Sequence, residues 1–110
     1  MTSDHLPNYY VTVKATRMRL PAEVYQSRFE DFEAVQFGTH QSLPLIYIKP
    51  VATALSQETY KISKRSYDGF VSCQTFLQAN NYHHTDSQQY RASWVDEIES
   101  LAVDLSDPIS

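Results

Sequence analysis

The chain has 110 residues, 42% of them hydrophobic, which is enough for one domain built around its own core. Its formal net charge is −4, unlike the strongly basic balance of a general nucleic-acid-binding protein. Two glycines argue against a glycine-rich phosphate loop and against a barrel of many tight turns, because both need positive φ angles. No apolar run is long enough to span a membrane, and the N-terminus lacks the pattern of a signal peptide. With a single cysteine, these features predict a cytoplasmic protein without a membrane partner.

The first residues predict a tail followed by a strand. Residues 1–8 are polar and include a proline, so we expect a flexible N-terminal tail ahead of a single domain over residues 9–110. Apolar and polar side chains then alternate over residues 9–16, the period of a strand with one buried face. The alternation changes phase near Arg17, which indicates a bulge or the end of that strand.

A helix is predicted over residues 21–37. Pro21 suits the first turn of a helix, where its missing N–H has no cost. Tyr25, Phe29 and Phe32 then recur at close to helical spacing.

The middle of the chain mixes clear and ambiguous patterns. Residues 43–49 predict a strand covered on both faces, because apolar and β-branched residues occupy both parities. Beyond Pro50 the chain fits either a helix or a short strand at 59–63. The Asp68-Gly69 pair suits a hairpin turn, but a helix over 66–79 is favoured because glutamine and alanine follow.

The most strongly patterned segment is residues 87–105. Its apolar residues recur at helical spacing, and Asp86 is placed to cap the first turn. The members of this stripe are Tyr90, Trp94, Ile98, Leu101 and Leu105. We therefore predict a long amphipathic helix that closes the core.

Combined, these elements predict an α+β fold. A small antiparallel or mixed sheet would carry two to three helices packed on one face. No internal repeat or domain boundary interrupts the chain.

Two clusters of basic residues are candidates for binding nucleic acid. One lies on the predicted first strand, and the other lies between residues 60 and 67, where tyrosines flank it. Bases mixed with aromatic rings can hold phosphates and stack nucleobases. The candidate nucleic-acid-binding residues are Lys14, Arg17, Arg19, Lys61, Lys64 and Arg65.

Residues 12–25 resemble the start of a ribbon-helix-helix repressor, in which a basic strand precedes an amphipathic helix. The second helix of that family should begin near residues 40–45, where this chain has a predicted strand. We therefore assign no family on this resemblance.

Tyrosine is abundant, with eight copies, and its ring suits protein interfaces because it buries a large area at low entropic cost. Four tyrosines come from extended segments and are candidates for an interface along a free sheet edge. They are Tyr9, Tyr10, Tyr47 and Tyr82.

The remaining candidates for metal binding or proton transfer are the histidines and their neighbours. His40, His83, His84 and Asp86 have side chains that bind zinc or transfer protons, but adjacent histidines of a strand point to opposite faces. Cys73 has apolar neighbours and is interpreted as a core residue. We accordingly expect no catalytic residue, metal site or cofactor.

No motif assigns a function. We expect a small non-enzymatic interaction or regulatory protein that acts through protein–protein contacts, as a self-associating oligomer such as a dimer or with another protein. The alternative is a nucleic-acid-binding regulator that uses the basic clusters at 14–19 and 61–65. A second alternative is a small metal-dependent or hydrolytic enzyme that uses the histidines.

Overall fold

The computed structural model describes residues 9–14, 16–52, 59–65, 67–80 and 87–106. They contain eight strands that close into an antiparallel barrel in the order β1-β2-β6-β5-β3-β4-β8-β7. The strands are β1 (Tyr9–Lys14), β2 (Arg17–Leu20), β3 (Ala34–Thr39), β4 (Leu45–Val51), β5 (Thr59–Arg65), β6 (Asp68–Ser72), β7 (Gln88–Val95) and β8 (Ser100–Asp104).

The predicted α+β fold is therefore wrong, and so is the expectation that scarce glycine argues against a barrel. Helical structure among the described residues is limited to short pieces between strands, and every described strand is hydrogen-bonded to two neighbours. The helical pieces are α1 (Ala22–Val24), a π-helical turn (Tyr25–Phe29), α2 (Gln74–Ala79) and a 3-10 turn (Asp96–Ile98). None of these helices has the length and apolar character needed to cross a membrane.

The core lies inside the barrel, because every second side chain of a strand points inward. An eight-stranded barrel has an interior that side chains alone can fill. The aliphatic strand residues that are almost completely buried are Val11, Val13, Met18, Leu20, Val35, Ile48, Val71, Leu101 and Val103.

The predicted C-terminal helix is instead the β7–β8 hairpin. Trp94 pairs with Leu101, and a 3-10 turn with Glu99 at a φ of 47° reverses the chain between them. A spacing of four residues fits both a helix and a strand, since four is also two strand repeats. Ile98, a member of the predicted apolar stripe, lies in the 3-10 turn and is 43% exposed.

The predicted helix over 21–37 ends early. Its first part forms α1 and the π-helical turn, which cover one end of the barrel with the fully buried Phe29. The rest becomes β3, in which Val35 faces into the barrel, and Phe32 is left 37% exposed on the connection. This stretch is a strand because it pairs with β4 on one side and with β5 on the other.

Both basic clusters lie on hairpins. Lys14 pairs with Arg17, so a two-residue connection ends β1 and explains the change of phase predicted there. Arg65 likewise pairs with Asp68, so the strand alternative at 59–63 is correct and the favoured helix over 66–79 is wrong before residue 74. The strand predicted at 43–49 is present as β4.

The two ends of the barrel carry aromatic contacts. Near the π-helical turn, Phe29 meets Trp94 edge to face with ring centroids 6.0 Å apart. Near α2, Phe76 stacks on Phe37 at 4.4 Å. These contacts shield the core where the barrel opens.

Candidate functional site

The outer face of β1, β2, β6 and β5 carries polar and basic side chains because the inner face takes the apolar ones. Hydrogen-bonding register places these outward residues side by side across strands. Lys14 is opposite Arg17, and Arg19 is opposite both the outward Phe70 of β6 and Thr12 of β1.

A groove of about 410 Å³ follows this face. It brings together residues that are widely separated along the chain, from β1 and β2 on one side and from the β5–β6 hairpin on the other. Its lining consists of Thr12, Lys14, Arg17, Arg19, Arg65, Asp68, Phe70 and Ser87.

Phe70 is the aromatic residue among those that line the groove. The ring is partly buried, and the guanidinium carbons of Arg17 and Arg65 lie 5.5 Å and 5.9 Å from its centroid. Both distances are within the range of cation–π attraction. Arg17 is opposite Ser72 and Arg65 is opposite Asp68, so the two guanidinium groups approach the ring from opposite directions along β6.

One cation of the groove is already neutralised by a carboxylate. Arg19 donates through Nε to Oδ2 of Asp68 at 2.7 Å, and its Nη2 is 2.6 Å from the same oxygen. The described residues of the lining still include four cations against one carboxylate, so a net positive charge remains among them. Its three further cations, Lys14, Arg17 and Arg65, have exposed side chains.

The groove contains four of the six basic residues predicted to bind nucleic acid. Lys61 lies on β5 and is exposed, but it does not line the groove. Lys64 lies on the opposite parity of β5 and forms an ion pair with Glu30 at 3.1 Å. The second basic cluster is therefore split between two faces of its strand.

Sequence reasoning missed Phe70 as a groove residue, because it lay within the predicted helix over 66–79. The signal was present in β6, where Asp68, Phe70 and Ser72 share one parity and the buried Val71 and Cys73 share the other. Strand alternation therefore points the ring outward among polar neighbours.

The candidate tyrosines do not gather on one surface. Tyr9 packs partly buried against the core, whereas Tyr10 is 45% exposed on the outside of β1. Tyr47 lies outside β4 over Gly38, with β7 and β8 between it and Tyr10. Tyr82 lies outside the described residues.

His40 and Cys73, which the structure describes, both have structural surroundings that account for them. Nδ1 of His40 accepts the backbone N–H groups of Ser42 and Leu43, both at 3.1 Å, and so orders a loop. Burial raises the pKa of Cys73 to about 12, which makes the thiol a poor nucleophile. His83, His84 and Asp86 lie outside the described residues.

The described residues contain no group of three or more histidine, cysteine, aspartate or glutamate side chains that could hold a metal ion. What they do bring together is four exposed cations, one of them paired with Asp68, and one aromatic ring, on a chain whose net charge is −4. This arrangement can attract anions locally and stack a planar group. No family model, curated protein or solved structure matches the chain.

Proposed function

We propose that the chain is a non-enzymatic nucleic-acid-binding protein whose groove holds the sugar-phosphate backbone. The convergence of Lys14, Arg17, Arg19 and Arg65 around one groove carries this proposal. These side chains come from three strands, and pairing of β2 with β6 joins the two hairpins that supply them.

The aromatic ring favours nucleic acid over other polyanions. A nucleic acid presents negative phosphates and planar bases at regular intervals, and Phe70 with two neighbouring guanidinium groups matches both. A polyphosphate chain or a lipid headgroup offers nothing that would stack on the ring. Arg19 is neutralised by Asp68, so Lys14, Arg17 and Arg65 are the cations proposed to hold phosphates.

The net charge of the protein determines the expected affinity and its dependence on salt. Because the protein carries a net charge of −4, attraction is confined to the groove and the remaining surface opposes binding. Affinity should therefore be moderate and should fall steeply as salt is added, since phosphate contacts release counterions.

A pair of matched lysine variants tests the proposal. Lys14 lies on β1 and lines the groove, whereas Lys49 lies on β4 outside it. Both lysines are exposed residues of strands. Lys14→Ala and Lys49→Ala change the net charge equally. In fluorescence anisotropy with a labelled oligonucleotide, we expect Lys14→Ala to reduce affinity and to lower the slope of log K against log salt by about 0.7–0.9. Lys49→Ala should leave that slope unchanged.

Equal effects of the two lysine variants would contradict the groove as the binding site. A protein with no affinity for DNA or RNA at low ionic strength would contradict the function itself. Binding to anionic vesicles without binding to nucleic acid would do the same.

The protein–protein function expected from the sequence stays a prediction. Its proposed basis was a free sheet edge lined by tyrosines, but the described strands form a closed ring. The mass of the protein in solution, measured by light scattering, would test self-association independently of the groove.

A further inference from the structure

Resting on the proposed function, we infer that the ligand is single-stranded, with one base stacked on Phe70 and the flanking phosphates held by Arg17 and Arg65. The inference concerns which form of nucleic acid fits the groove and how it is held. It can fail while nucleic-acid binding itself stands.

The position of Phe70 supports a stacking role. The ring is on the outer surface of the barrel, directly opposite Arg19 on one neighbouring strand and Ser63 on the other. An apolar ring at an outward, partly exposed position has no core to complete. Flat aromatic side chains on a sheet surface are a general platform for unpaired bases.

The two guanidinium groups would leave the Phe70 ring when a base stacks on it, and they would then hold the phosphates on either side of that base. Arg17 and Arg65 each lie within 6 Å of the ring centroid and come from strands on opposite sides of β6. They are therefore close enough to hold consecutive parts of one strand whose base contacts the ring. Lys14, opposite Arg17, extends the line of positive charge toward β1.

A duplex fits this surface poorly. Base faces in a duplex are covered by neighbouring base pairs, so the ring could not stack on them. The molecule measures 42 × 30 × 29 Å, so its barrel is too wide to enter a major groove about 12 Å wide. A duplex would reach the cations through its phosphates alone.

Sequence preference should be weak. Apart from the cations and the ring, the described residues of the lining offer two hydroxyl side chains, Thr12 and Ser87, and the carboxylate of Asp68, which is occupied by Arg19. Stacking accepts any base because every base has a flat face. We therefore expect homopolymers of different bases to bind within about one order of magnitude of each other.

The test compares Phe70→Leu with Tyr47→Leu. Both remove a partly buried outward ring, one from the groove and one from β4 outside it. We expect Phe70→Leu to weaken binding of a single-stranded oligonucleotide about 5- to 150-fold, the range that corresponds to loss of one stacked base. Tyr47→Leu should stay within about twofold, and a duplex of the same length should bind the wild type more weakly than the single strand.

A second variant reports stacking directly. Phe70→Trp puts a fluorophore in the groove, and its emission should be quenched by a single-stranded oligonucleotide but not by inorganic polyphosphate. The wild type contains only Trp94, which does not line the groove, and its emission should not change.

The outcomes separate the two proposals. Equal affinity for duplex and single strand, no effect of Phe70→Leu, or no quenching of Phe70→Trp in a saturated complex would overturn single-strand stacking while leaving nucleic-acid binding intact. Absence of binding to any nucleic acid at low salt would overturn both.

Discussion

Gly69 lies beneath the ring of Tyr25, and adding one methyl group there should destabilise the protein. A Cβ at residue 69 would be 2.4 Å from Cδ1 and 2.9 Å from Cε1 of Tyr25. Carbon atoms in contact are normally about 3.5–4.0 Å apart, so the ring would have to retreat by about 1 Å. Tyr25 is only 5% exposed, and it closes one end of the barrel from the π-helical turn.

The size of the effect follows from two opposing terms. Overpacking a core costs about 1–3 kcal/mol, whereas replacing glycine by alanine within a strand recovers about 0.5–1 kcal/mol of conformational entropy. The free energy of unfolding of Gly69→Ala should therefore fall by about 1 kcal/mol. For a domain of roughly this size that corresponds to a decrease in Tm of about 4–8 °C.

Gly38 provides the matched control, measured by the same thermal unfolding followed by circular dichroism. A Cβ at residue 38 would be 3.8 Å from Cβ of Tyr47, an ordinary contact, and neither glycine has a positive φ. Gly38→Ala should therefore leave Tm unchanged or raise it, and the free energy of unfolding should increase by at most about 1 kcal/mol.

A double-mutant cycle isolates the contact. In a Tyr25→Leu background the clashing ring atoms are gone, so Gly69→Ala should lose most of its cost. If Gly69→Ala were as stable as the wild type, or equally costly in both backgrounds, the placement of Tyr25 over the barrel end would be wrong.

Three further measurements test other parts of the structure. Cys73 should resist thiol reagents in the native protein and react on unfolding. Because burial raises its pKa to about 12, the free energy of unfolding should fall as pH rises from about 8.5 toward that value. The Cys73→Ala variant should lack this contribution to the pH dependence. Trp94→Ala should lower the free energy of unfolding by about 1–3 kcal/mol because the ring is partly buried, whereas Ile98→Ala should lower it by less than about 0.5 kcal/mol. Equal losses for the two variants would favour the predicted helix over the hairpin. A double-mutant cycle on Arg19 and Asp68 should give a coupling energy of about 0.2–1 kcal/mol, and zero coupling would mean that this pair does not order the groove.

Local patterns predict some strands of this protein but not their closure into a barrel. Alternation marks β1, and β-branched residues mark β4, so both are readable in the sequence. No local pattern reports that β2 pairs with β6 or that β3 pairs with β5. Closure depends on these distant pairings, and the fold class was missed for that reason.

The helix predictions failed where spacing was ambiguous. Tyr90 and Trp94 are four residues apart, which places them on one face of either a helix or a strand. Ala92 between them is buried, as strand alternation requires, but alanine is too small to register in a hydrophobic pattern. The reversal at Glu99 is equally hidden, because a non-glycine residue there adopts a positive φ.

The cations of the candidate site were predicted one by one, but their assembly into one groove and the position of Phe70 were not. Lys14, Arg17, Arg19 and Arg65 are recognisable as basic residues beside strands, yet only register brings them to one groove. Phe70 was missed because an aromatic residue is ordinarily assigned to a core.

The most direct test of the groove is to map the bound nucleic acid by NMR. Backbone amide shifts of the isotopically labelled wild type would be followed while a short single-stranded oligonucleotide is added at low salt. Shifts concentrated on β1, β2, β5 and β6, with those of β3, β4 and β8 unchanged, are the result that we predict. Shifts concentrated on β3, β4 and β8, or none at saturating oligonucleotide, would contradict it.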